Sequence, residues 1–127
     1  MTPSSIRTIR DCRLEKVGRT WDAIRVPRSV GLSALAILGT RSGAVLEDPL
    51  SAALYWFIPA GDAAAWDVAG TRVLADDAHL VIPPVKRTQG PGPHWRVCPA
   101  GETWTTEAAA LRAALEDAAS PCRGAAR

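Results

Sequence analysis

The chain has 127 residues, 47% of them hydrophobic and 22% charged, with a net charge of +2. That length fits one domain with a real core, held without disulfide or metal staples. The balance excludes a disordered polyelectrolyte, and no run of about 18 apolar residues offers a membrane span.

The chain opens on MTPSSIRTIRDCR, charged where a signal peptide needs an apolar stretch, so a cytoplasmic protein is expected. Residues 1–28 carry seven cations against Asp11, Glu15 and Asp22, a local balance of +4, against −2 for the remainder. Cations at 7, 10, 13, 16 and 19 recur every third residue, a spacing that drifts around a helix. Residues 1–19 therefore read as a diffuse basic arm that frays. A single domain follows over 20–119, and 120–127 read as a loose tail.

WDAIRV (21–26) alternates and stops at Pro27, which predicts a strand. Ser29 is placed to cap a helix. Val30, Leu32, Leu35, Ala36 and Leu38 follow at helical spacing, up to Gly39. GAVLEDP (43–49) reads as a strand entering a turn at Glu47-Asp48-Pro49. ALYWFIP, within the apolar run 51–61, reads as a buried strand, so the two form a hairpin. GDAAAWDVAG (61–70) is ambiguous, with one helical turn closed by Gly70 as a reading and Trp66 plugging the core edge. TRVL (71–74) and HLVI (79–82) flank Asp76-Asp77 as a second hairpin, with HWRVC (94–98) pairing onto HLVI. Finally Thr105 or Thr106 caps a helix over AAALRAALEDAA, with Leu111 and Leu115 on one face and Pro121 beyond it. The fold class is α+β: a mixed or antiparallel sheet of five or six short strands covered by two helices.

Chemistry is sparse. Cys12, Cys98 and Cys122 form no CxxC pair, and His79 and His94 have no thiols close by, so neither a disulfide framework nor a zinc site is expected. His94 and Cys98 on one strand would stand too far apart to act as base and nucleophile. The acid pairs Glu47-Asp48, Asp76-Asp77 and Glu116-Asp117 sit in predicted turns or on a helix end. No complete catalytic set appears, and no cofactor is expected. The most suggestive stretch is HLVIPPVKRTQGPGPHWR (79–96). Lys86, Arg87 and Arg96 surround a Pro/Gly turn, with His94 beside it and no acid between 78 and 101. Such cations and open glycine amides suit phosphate oxygens, and Trp95 could offer a base a face to stack on. The plain alternative is a rigid connection with solvated cations and a core tryptophan.

WDAIRVP before a helix, ALYWFIP, and TRVLADDAHLVIPPVKRTQGPGPHWRV together resemble the later part of the bifunctional DNA primase–polymerase N-terminal domain, over about residues 20–119. The resemblance implies an α+β primase–polymerase core, whose family activity is metal-dependent nucleotidyl transfer on DNA. Of the family's DxD carboxylates only Asp22 aligns, with Arg25 where a second acid would help. Trp56 stands on the strand where the family bears a histidine, and Asp76 or Asp77 would be the remaining acid. A two-metal site needs several carboxylates, so the resemblance implies a degenerate, shortened and catalytically inactive module. It would bind nucleic acid or nucleotide through Lys86, Arg87, His94, Trp95 and Arg96. The alternative function is a protein-interaction or regulatory subunit, homodimeric or partnered, using a sheet edge or the five tryptophans.

Overall fold

The structure is a computed structural model that describes residues 12–18, 20–74, 78–100 and 104–119. In chain order its strands are β1 (Arg13–Lys16), β2 (Trp21–Pro27), β3 (Val45–Asp48), β4 (Ala53–Pro59), β5 (Arg72–Leu74), β6 (His79–Ile82) and β7 (His94–Val97). Two helices, α1 (Arg28–Leu38) and α2 (Ala108–Ala119), complete the regular structure, with 3₁₀ turns at Gly39–Arg41 and Asp62–Ala65. The strands form two antiparallel sheets, one of five in the order β5-β2-β4-β3-β7 and a ribbon of two, β1-β6.

The reason for this layering is legible in β4. Successive side chains of a strand point to opposite faces. Leu54, Trp56 and Ile58 join Ala34 and Leu38 of α1 and Leu111 of α2 in one core. Phe57, on the other face, packs with Leu80 and Ile82 of the ribbon and with Trp95. Both faces are covered, so the strand carries a continuous apolar run rather than an alternation. The ribbon has one covered face, and HLVI accordingly alternates, with Leu80 and Ile82 buried and His79 and Val81 exposed. The fold is thus α+β, with the two helices on one face of the larger sheet and the ribbon on the other.

Several expectations are corrected. TRVL and HLVI are not a hairpin: β5 pairs with β2 at the sheet margin, whereas β6 pairs with β1, Arg13 opposite Ile82. HWRV pairs with β3 instead of HLVI. The chain passes from the sheet's margin onto its face between β5 and β6, which a short acidic connection does not reveal. Residues 13–16, read as part of the basic arm, are a strand; residues 1–11 and 120–127 lie outside the described residues. Ser29 is inside α1, which starts at Arg28 behind Pro27 with no side-chain cap bond. Gly39 does end the helix, with φ of 55°. Gly31 lies where α1 crosses β4, and a Cβ there would stand 2.7 Å from Leu54 Cδ1. Among the described residues no helix is long and apolar enough to cross a membrane.

Candidate anion-binding site

The functional candidate begins with a residue that the sequence reading placed in a turn. Glu47 is the third residue of β3, and it is only 4% exposed. A buried carboxylate is costly unless its charge is matched and its lone pairs are filled. Here Arg28 Nε donates to Oε2 at 2.8 Å, while Arg96 donates to Oε1 from Nε at 3.0 Å and from Nη2 at 2.8 Å. His94 Nε2 stands 3.5 Å from Oε1.

Each partner is delivered by local structure. Arg28 opens α1, and its backbone N–H is tied to the Ala52 carbonyl at 2.8 Å. His94 lies directly across from Glu47 in the β3–β7 ladder. Arg96 falls where the register shifts: Val45 opposes Val97 and Leu46 opposes Trp95, so Arg96 is the extra residue of a bulge. A bulge leaves its additional residue unpaired and re-aims its side chain, and here that side chain reaches Glu47.

Burial pushes the Glu47 carboxyl up, but the hydrogen bonds and charges of Arg28 and Arg96 outweigh it and hold the group below its ordinary value. Two guanidinium charges against one carboxylate leave the cluster positive before His94 is considered. The arginine side chains are 46% and 36% exposed. The bonds to Glu47 use only Nε of Arg28 and Nε and Nη2 of Arg96. Both Nη groups of Arg28 and Nη1 of Arg96 are left over from those bonds. The result is a pair of guanidinium groups held in place from behind and half open in front. That is the chemistry of an oxyanion clamp.

The structure divides the five residues expected to form one cradle. Arg96 and His94 belong to the Glu47 cluster, and His94 Nδ1 lies 3.0 Å from the Gly92 carbonyl, which can only accept. Trp95 is a correction. It is 1% exposed, its ring lies 5.4 Å from that of Trp104, and its Nε1 donates to the Pro84 carbonyl at 3.0 Å. Burial leaves no face for a base to stack on. Lys86 is exposed on the loop and Arg87 is half-buried. The loop lies along β7, because Trp95 N–H donates to the Arg87 carbonyl at 2.7 Å.

Asp22, the carboxylate aligned by the family resemblance, is 3% exposed, and its Oδ2 accepts from the amides of Gly61 at 2.9 Å and Ala63 at 3.3 Å. It fastens the 3₁₀ turn to β2, as a lone acid in a cap does. Asp76 and Asp77 lie outside the described residues. Among those described, no group of three or more His, Cys, Asp or Glu is placed to hold a metal ion. Asp48 does make a turn, accepting from Leu50 N–H at 3.1 Å and Ser51 Oγ at 3.0 Å.

Sequence reasoning missed Arg28 and Glu47. A signal was available: VLED runs up to Pro49 with no glycine before it, so the strand could extend through Glu47 and turn that acid inward. No family model matches the chain, and no curated protein or solved structure matches it either.

Proposed function

We propose that the protein is a phosphate-binding module for nucleic acid or nucleotide, a catalytically inactive relative of the primase–polymerase core. The ligand meets Arg28 and Arg96, with Lys86 and Arg87 of the Pro/Gly loop as flanking cations. One observation carries this reading: a single buried carboxylate braces two half-exposed arginines and leaves the cluster with surplus positive charge. Support for the family kinship is the sequence pattern over residues 20–119 and the α+β core.

The test is binding of a fluorescent single-stranded oligonucleotide and of a labelled nucleotide at about 50 mM and about 200 mM salt. Phosphate contacts release counterions, so affinity should fall steeply, with a log–log slope near −0.7 per contact for a single strand. The variant Arg28→Leu/Glu47→Leu/Arg96→Leu removes the clamp without stranding a buried charge, and it should lose most binding. Parental affinity in a folded triple variant would refute the assignment.

A second reading, a protein-interaction or regulatory subunit, is favoured by one observation. Leu14 and Val81 face each other across the ribbon and are 64% and 39% exposed. Absence of phosphate binding, together with a dimer in light scattering, would select it.

A further inference from the structure

We infer that the clamp selects a phosphomonoester dianion over a phosphodiester, an inference that rests on the phosphate-binding reading above. The argument is a count of donors and charges. The bonds to Glu47 consume Arg28 Nε and Arg96 Nε and Nη2. Three guanidinium nitrogens are left over: Nη1 and Nη2 of Arg28, which form one flat fork, and Nη1 of Arg96. A phosphomonoester presents three terminal oxygens, two for the Arg28 fork and one for Arg96. A phosphodiester presents two, so part of the array would go unanswered, and a half-satisfied polar array is a poor binder.

Charge points the same way. The two arginines exceed Glu47 by one unit. A monoester carries about −1.5 to −2 at pH 7, against one negative charge on a diester. Attraction at fixed distance scales with the product of charges, so the dianion gains more from the same surplus. The first turn of α1, which Arg28 opens, contains no acid. Glu47 acts here as a positioning residue. It touches the arginines and not the ligand, and its burial fixes where the two guanidinium groups stand.

Adenosine 5′-monophosphate and cyclic 3′,5′-adenosine monophosphate share base and sugar and differ in this feature, so they are the probes. Titration calorimetry of the full chain should give about tenfold tighter binding of the monoester, the ratio expected for roughly one further charge-assisted bond. A thymidine decamer with a 5′-phosphate, compared with its 5′-hydroxyl twin, tells a polymer end from a small molecule as the source. Preference for either phosphorylated form supports the inference. Arg28→Ala, at a half-exposed side chain, removes two of the three left-over nitrogens and the surplus charge together, and the preference should shrink to below about threefold; Arg96→Ala makes the same test should Arg28→Ala fail to fold. Equal affinity for monoester and diester would overturn the selection and leave phosphate binding standing. No binding of any probe would overturn both.

Discussion

Neutralising Glu47 would strand two arginines against an uncharged group, so this one side chain ties stability to acidity. Its carboxyl is held below its ordinary value of about 4.5. Between the folded and the unfolded value the unfolded chain binds more protons, so stability rises with pH there. The contribution is fully present above the unfolded value and is lost as pH falls through the depressed one. Urea melts should therefore show the wild type losing stability below about pH 4.5, while Glu47→Gln gives a flatter profile across that interval. At pH 7 Glu47→Gln should cost about 1–3 kcal/mol, less than a fully buried pair because the arginines are half exposed to water. The residue scale is also where the sequence was least legible. Arg96 and Trp95 are neighbours with opposite fates, one braced on an acid and one in the core. Their environments follow from a register shift that no local pattern announces. His94 and Arg96 were recognisable as basic residues near a turn, but their common partner, Glu47, lies on another strand.

At the scale of elements, what could be read from the chain is what local pattern decides. ALYWFIP is a central buried strand because seven residues without a charge cannot face water on either side, and it spans Ala53–Pro59. The second helix puts Leu111, Ala114 and Leu115 on its buried face, as the spacing predicts. The partners of β6 and β7 were not legible, since each is chosen across dozens of residues by which apolar face finds cover. The ribbon has a distinct energetic character. Each of its strands has four residues, and among the described residues β1 and β6 have only each other as ladder partners, whereas β4 is bonded on both sides. Local opening is easiest where the fewest buried contacts are lost. Native-state hydrogen exchange should show the amides of β1 and β6 exchanging faster than those of β4, by about tenfold or more at neutral pH. Equal protection across both sheets would mean that the ribbon and the larger sheet open as one unit.

Across the whole molecule, the segment before α2 binds the layers together. Gly43 N–H donates to Thr106 Oγ1 at 2.8 Å, Ala44 N–H to the Trp104 carbonyl at 3.1 Å, and Thr106 N–H to the Phe57 carbonyl at 2.7 Å. One short stretch thus attaches the C-terminal helix to both β3 and β4. The approach is backbone to backbone: a Cβ on Gly43 would stand 2.6 Å from the Thr105 carbonyl oxygen and 2.8 Å from that of Trp104. Neither oxygen can swing away as a flexible side chain would. Gly43→Ala should therefore cost about 2–3 kcal/mol in a denaturant melt, with an unchanged m-value if the native and denatured states keep their compactness. A neutral substitution would show that the segment can shift without loss. The step in the β3–β7 ladder has a different kind of consequence. Deleting position 96 would leave Val45 opposite Val97 and Leu46 opposite Trp95, the same neighbours that meet today. The apolar pairs would be kept, while the buried Glu47 lost two of its three arginine hydrogen bonds. Gain or loss of a single codon there would therefore add or remove one arginine at Glu47 in a lineage without re-pairing the strands on either side.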